Sequence, residues 1–506
     1  MEKRLIFAVV ASSIVLVLWQ LLMPKPIQTL PKPQESAISA SIQASAGVLA
    51  TKPTTIEQVQ PEKLAVLEND KVRVIFNESL GSITEVIFKR YQSYNFLLHN
   101  GLSTNGSMVF RKEKATDSSI TFVGQDKDKI VTKKFILSNS NYSGQLEIEI
   151  KNITSSSLAL DTNIILGSLD FNNPKNLPQN HDFSIYSNEK LTHPKTNKDQ
   201  TYNQLNFIGL RDRYFCAILA GEKKEYNGFV KKLDPKKSEI GLKLSDLELM
   251  AGQKMERKFS IYLGPQDLKE INAVNLQWAS IINYGTFDII AQMLLKLLEI
   301  FYNVVHNWGI AIILLSLAVY LLLYPLTLKQ MRSMKEMQLL QPKIQELQKL
   351  HKDNPQKLNK EIMELYREHK VNPLSGCLPL ILQMPIFFAL YQALMRTVAL
   401  KGANFLWIKD LSEPDRLIVL KNSLPLLGKD INLLPILMMI GMFVQQKITM
   451  VSSGSGQANE QQKIMLFVFP LIFGIIFYNM PAGLVLYWFV NSILMLVAQI
   501  RTKASK

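Results

Sequence analysis

Hydrophobic and polar positions divide the chain near Tyr284. Before that point, apart from the first residues, apolar side chains occur in short runs or alternate with polar ones. Beyond it, apolar runs become long enough to cross a bilayer. The N-terminal exception is Leu5 to Met23, an apolar run behind Met1-Glu-Lys-Arg4 and followed by Pro24-Lys-Pro26 rather than a small-residue cleavage site. This pattern predicts an uncleaved signal anchor over 1–23 with its N-terminus inside.

From 24 to 60 the chain is Pro, Gln, Ser, Ala and Thr with few large apolar residues, which predicts a flexible linker. Residues 61–284 read as a large external antiparallel β-sandwich domain. Strands are predicted at Val72–Phe76, Ile83–Phe88, Ser119–Val123, Lys133–Leu137, Gln145–Ile150, Leu158–Ile165, Tyr214–Leu219 and Lys258–Leu263. Leu146-Glu-Ile-Glu-Ile150 alternates strictly, the period of a strand with one wet face.

Residues 285–307 contain a polar stripe, Asp288, Gln292, Lys296, Glu299 and Asn303, on an otherwise greasy helix. That spacing predicts an interfacial amphipathic helix, with a true crossing as the alternative. Residues 308–506 then supply five crossings: Trp308 to Leu326, Pro373 to Met395, Leu433 to about Met450, Ile464 to Tyr478, and Gly483 to Ile500. With the anchor they make a polytopic α-helical membrane protein of six spans.

Residues 327–372 interrupt the set. Leu340, Ile344 and Leu347, then Leu358, Ile362 and Leu365, recur at four and three, with Pro342 suited to a helix start and Asn354-Pro355 between the halves. They predict a helical hairpin. Between Thr327 and Asn372 there are ten Lys or Arg against six Asp or Glu, whereas Gly402 to Ile431 holds four of each. Basic excess in short loops marks the cytoplasmic side, so the hairpin and both termini are expected in the cytosol and the β-domain outside.

Composition adds little beyond this. The formal net charge is +15 over 506 residues, but the basic residues are scattered or sit beside membrane segments, so membrane orientation explains them better than nucleic acid. The two cysteines, Cys216 and Cys377, fall on opposite sides of the expected topology and lack metal-ligand spacing. His99, His181 and His193 have no sequence pattern that marks catalysis.

Between Trp308 and Leu326, Pro373 and Met395, Leu433 and Gln446, Ile464 and Tyr478, and Gly483 and Ile500 there is no Asp, Glu, Lys, Arg or His. Ion-coupled machines generally need such groups inside the membrane. What the spans do carry is uncharged and polar: Ser316 and Tyr320 share one helix face, Tyr487 and Asn491 another, and Gln383 and Ser492 add to them. They either tie helices together or hold water in a recess open to the cytosol.

Asn307-Trp-Gly309, Tyr324-Pro-Leu326, Leu340-Gln-Pro-Lys-Ile344, Val371-Asn-Pro-Leu-Ser-Gly-Cys377, Gln383-Met-Pro-Ile386, Gln461-Gln-Lys-Ile-Met465 and Gly483-Leu-Val-Leu-Tyr487 occur in that order. Here the chain resembles the YidC/Oxa/Alb membrane protein insertases, and its anchor and β-domain resemble the YidC form of Gram-negative bacteria. The resemblance implies a non-enzymatic insertase and folding chaperone of the bacterial inner membrane, multi-pass, with a periplasmic domain and no cofactor. The implied partners are nascent membrane proteins, the Sec translocon, ribosome or targeting factors at the cytosolic face, and membrane lipids.

It further implies a polar groove over Ser316, Tyr320, Gln383, Tyr487 and Asn491. A greasy substrate slide would include Met384, Pro385, Phe387, Leu390 and Ile476, and the hairpin would receive the incoming chain. One position departs from the family. Where related proteins usually carry an arginine in the second membrane helix, this chain has Tyr320. Hydrogen bonding by Tyr320 in a hydrated groove, or charge from Lys329 or Arg396, could replace it, with Lys329 the better placed of the two cations. The rival readings are a channel or transporter and an envelope scaffold.

Overall fold

The computed structural model describes residues 63–91, 94–106, 108–172, 181–222, 226–244, 247–351, 354–369, 378–424, 428–451 and 460–504. The expected anchor and linker lie outside these residues. The chain forms two compact units, one over 25–212 and 216–264, the other over 265–506 with the short segment Arg213–Phe215.

The first unit is an antiparallel β-sandwich. One sheet runs β1 (Leu64–Glu68), β2 (Val72–Asn77), β3 (Ser82–Phe88), β4 (Tyr94–Gly101), β11 (Asn163–Asp170), β18 (Lys237–Lys243), β17 (Asn227–Asp234) and β14 (Gln200–Tyr202), with β5 (Ser103–Thr104) paired to β11; the other runs β13 (Lys190–Thr192), β12 (Asp182–Ser187), β15 (Leu205–Arg211), β16 (Phe215–Gly221), β20 (Lys254–Pro265), β9 (Ser143–Asn152), β8 (Lys129–Leu137), β7 (Ser119–Gln125) and β6 (Phe110–Ala115). Phe76 of β2 (Val72–Asn77) lies 5.6 and 4.9 Å, ring centre to ring centre, from Phe122 of β7 (Ser119–Gln125) and Phe135 of β8 (Lys129–Leu137). Aromatic burial of this kind supplies much of a sandwich's cohesion.

Pleat alternation decides which side chains face in. On β9 (Ser143–Asn152), Leu146, Ile148 and Ile150 are fully buried, while Glu147 and Glu149 point outward to Lys134, Lys258 and Lys254. Hydrogen bonds from Lys134 and Lys258, with their charge, hold the Glu147 carboxyl below its usual range. The stretch read as one strand from Leu158 to Ile165 is two, β10 (Leu158–Leu160) and β11 (Asn163–Asp170), because its halves pair with different partners: β10 with β19 (Leu247–Leu249), and β11 with β18 (Lys237–Lys243).

The second unit is helical. After a short α1 (Leu268–Asn272), α2 (Asp288–Val305) buries Ala291 and Leu298 and leaves Ile289, Met293, Ile300 and Val304 exposed beside its polar stripe. His306, with φ 51°, turns the chain into α3. There Asn307 caps the first turn by accepting the Ile310 N–H, and Trp308 stacks on Tyr302 at 4.0 Å.

Helix α3 (Trp308–Leu350) is continuous, with Pro325 and Pro342 inside it. Pro342 therefore does not start a separate helix: the preceding turns already fix its backbone in helical form. At about 1.5 Å per residue such a helix greatly outruns a bilayer core of about 30 Å. Its last turns pair with α4 (Pro355–Glu368), where Leu340 and Ile344 pack with Ile362, Leu365 and Tyr366. Lys343 lies 3.3 Å from His369, and His351 4.0 Å from Glu361, pairings that make the two helices antiparallel.

Helices α5 (Leu378–Arg396), α6 (Leu433–Val451), α7 (Glu460–Phe477) and α8 (Ala482–Ala504) complete the unit, with a hairpin of β21 (Ile418–Leu424) and β22 (Gly428–Ile431) before α6. Among the described residues, Trp308–Ser333 and Ala482–Arg501 are long and apolar enough to cross a bilayer, and Leu433–Ile448 and Leu466–Phe477 are shorter apolar stretches.

Candidate functional site

Helices α3, α5 and α8 bring the uncharged polar residues of the apolar helices onto inward faces. Tyr487, near the start of α8, is buried among apolar neighbours, and its hydroxyl accepts a hydrogen bond from Gln383 Nε2 on α5 at 2.9 Å. An unpaired phenol in such surroundings is costly, so the amide matches a need the sequence creates. Two of the expected groove residues therefore meet directly.

The others contribute differently. Ser316 is buried and donates to the Ile312 carbonyl one turn back, so its hydroxyl hydrogen is used within its own helix. Tyr320 lies one turn further along α3, 9% exposed, with its ring 5.8 Å from that of Tyr324. Asn491 is half-buried one turn beyond Tyr487. Ser492, the neighbouring candidate, is spent on the Phe489 carbonyl at 2.7 Å.

Of the cations that could stand in for charge at Tyr320, Arg396 is engaged elsewhere. Its Nη1 donates to the Asn283 carbonyl at 2.6 Å, at the C-terminal end of α5. Lys329 is exposed on α3. Arg501, on the last turn of α8 and not anticipated from the sequence, lies within electrostatic reach of Tyr320. Positions 487 and 501 are about four helical turns apart, close to one face, a spacing that could have suggested it.

Beside the polar contact lies an aromatic layer. Phe387 of α5 sits 5.7 Å from Phe477 of α7 and 5.3 Å from Trp488 of α8, and Phe473 extends the layer at 5.8 Å from Trp488. Met384 is exposed at the outer side of α5, and Pro385, Phe387 and Ile476 are half-buried. Leu390 departs from the expected track: it is fully buried in the core, because its face of α5 turns inward with Ala389 and Ala393. It supports the wall from behind. The start of the wall stretch, Asn372 to Cys377, lies outside the described residues.

The sequence reading missed the loop that ties the ends of these helices. Asp415 is buried, with Oδ2 accepting the Leu433 and Leu434 N–H groups at 2.8 and 2.9 Å and the Trp407 indole N–H at 3.1 Å. It caps α6. The nearby Leu411 and Glu413 carbonyls accept the first N–H groups of α8. A lone Asp before an apolar run was the available signal.

Among the described residues, no group of three or more His, Cys, Asp or Glu has metal-binding geometry. Near His193, Ser184 and Asp182 both face the same ring nitrogen, Nδ1, at 3.4 and 3.9 Å. A relay needs one partner on each nitrogen, so this cluster does not form a hydrolytic triad.

Comparison with known proteins adds family information. Residues 300–506 match the family described as 60Kd inner membrane protein, and residues 89–297 match the YidC periplasmic domain. A membrane protein insertase YidC of Geotalea daltonii is 30% identical over 544 residues, covering 99% of this chain and 98% of that one. Another, of Syntrophobacter fumaroxidans, is 36% identical over 380 residues, covering 73% of this chain and 68% of that one. A solved structure described as an active YidC insertase with its first transmembrane domain resolved covers 87% of this chain and 93% of that one, with 20% identity and a TM-score of 0.41.

Proposed function

The chain belongs to the YidC family of membrane protein insertases, and from that membership we propose how its helical unit works. It is an inner-membrane insertase with a periplasmic β-domain. The polar flank of a newly made protein enters the recess between α3, α5 and α8, while the apolar segment moves along the outer face of α5 beside α7. The observation that carries this reading is the Gln383–Tyr487 hydrogen bond, a polar contact without charge beside the exposed Met384 and the Phe387 layer.

A polar recess lowers the cost of bringing a hydrophilic segment into the membrane, and water there shortens the apolar distance left to cross. No covalent step is required, so the activity is that of a chaperone rather than an enzyme. Tyr320 acts as a hydrogen-bonding group, with Arg501 and Lys329 adding positive charge toward the cytosolic mouth. Met384, Pro385, Phe387 and Ile476 form the track, with Leu390 behind it.

The topology that fits has six spans: the 1–23 anchor and five crossings within 308–506. Both termini and the 327–372 hairpin lie in the cytosol, and the 61–284 domain lies in the periplasm. Residues 24–60 link anchor and β-domain, and 285–307 lie along the outer interface. In that orientation the hairpin meets chains delivered by ribosomes or targeting factors, and the core works alone or beside the Sec translocon, in contact with lipid. Depletion followed by protease protection of newly made membrane proteins tests the function. Direct loss of protected spans supports insertion, whereas solute flux through the purified protein in liposomes with insertion intact would support a channel.

A further inference from the structure

The C-terminal end of α5 and the loop that holds the first turn of α8 meet at one guanidinium. Arg213 groups with the helical unit, although it lies between β15 (Leu205–Arg211) and β16 (Phe215–Gly221) in the chain. Its Nε donates to the Met395 carbonyl at 2.7 Å and its Nη2 to the Ser412 carbonyl at 2.9 Å, while Nη1 lies 3.5 Å from Glu413 Oε1. Met395 is in the last turn of α5, where carbonyls lack helical donors and where positive charge opposes the helix dipole. A planar fork of donors suits two carbonyls at once.

The residues on the far side of the fork are themselves held. Leu411 and Glu413, flanking Ser412, accept the Gly483 and Ala482 N–H groups at 2.9 and 2.8 Å. Arg213 therefore connects the last turn of α5 to the first turn of α8 through a short, backbone-anchored loop. Gln383 and Tyr487 form a second tie between the same helices twelve residues nearer the start of α5, roughly 18 Å away along its axis. Between the two ties, Pro385 removes a backbone hydrogen bond from α5 and leaves the helix easier to bend there.

We propose that Arg213 is a positioning residue for the groove wall: it fixes the end of α5 against α8, so the wall opens by swinging its other half about that end as the Gln383–Tyr487 bond breaks and reforms. This rests on the groove reading above, but its test involves no substrate, so either can fail separately.

The full chain, with Cys216 and Cys377 replaced by Ala, receives cysteines at Phe387 and Phe477, and a short bismaleimide reports their closeness in membranes. A second chain carries cysteines at Gly441 and Ser492, a close contact of α6 and α8 that does not involve Arg213. In Arg213→Met the first pair should cross-link about tenfold more slowly, the factor expected for losing a charge-assisted hydrogen bond, while the second keeps its rate. Arg213→Lys, which retains donors, should recover much of the first rate. Equal rates across the three chains would overturn the proposal. So would slowing at both pairs, because Arg213 would then serve folding as a whole rather than the position of α5.

Discussion

The side-chain amide of Gln383 donates to the hydroxyl of Tyr487 across 2.9 Å, joining α5 to α8 where neither helix offers a charge. Removing either partner strands the other. Gln383→Leu and Tyr487→Phe should each destabilise the helical unit, and the double variant should cost less than their sum. The coupling energy expected is about 1 kcal/mol, the range of interhelical hydrogen bonds in membranes. Unfolding of the four proteins in bicelles measures it, and strict additivity would mean the bond contributes nothing.

Tyr320→Phe removes one hydroxyl and leaves the ring against Tyr324. Insertion of substrates with polar external tails should fall, while substrates with short apolar tails should be little affected. The ratio of protease-protected products across a substrate panel reads this difference. Tyr320→Arg should shift the preference toward acidic tails, because a fixed cation attracts them.

Leu390 and Met384 sit on different faces of α5, about a third of a turn apart, one fully buried and the other exposed. Leu390→Ala leaves a cavity behind the wall and should cost about 2–5 kcal/mol of stability. Met384→Ala should leave stability within about 0.5 kcal/mol, as surface changes usually do, while weakening contact with a passing apolar segment. Thermal unfolding in detergent separates the two.

In the β-sandwich, Lys133 takes an inward position on β8 beside Val131 and Phe135, with Nζ 4.8 Å from the Phe110 ring centre. Burial lowers its pKa from 10.5 to about 7. Between those values the unfolded chain holds a proton that the folded chain has lost, so stability should rise with pH from about 7 to 10.5 and be lowest below that window. Lys133→Met should raise the β-domain's melting temperature at pH 7 and flatten its rise across the window. Scanning calorimetry of the full chain at several pH values checks both effects.

Regular periodicity was readable from residue types alone. Seven of the eight predicted strand segments each fall on one strand, Leu158–Ile165 is broken into two, and Leu146-Glu-Ile-Glu-Ile150 alternates in the fold as it does in sequence. The polar contact was partly readable, since uncharged polar residues at helical spacing in apolar runs pointed to Gln383 and Tyr487. The burial of Leu390 was not readable, because an apolar residue in an apolar run carries no sign of which way its face turns. Lys133 and Arg213 were unreadable for another reason: one depends on strand phase against a distant Phe110, and the other on carbonyls nearly two hundred residues away. No local pattern encodes either.

The central claim is that a substrate's apolar segment travels along α5 beside the polar recess. Site-specific photocross-linking from Met384 to a ribosome-bound nascent chain, stalled with its first apolar segment emerging, tests this most directly. The account predicts adducts from Met384 that move along the nascent chain as it lengthens, with few from the buried Leu390. Adducts absent at Met384 while insertion proceeds normally would contradict it.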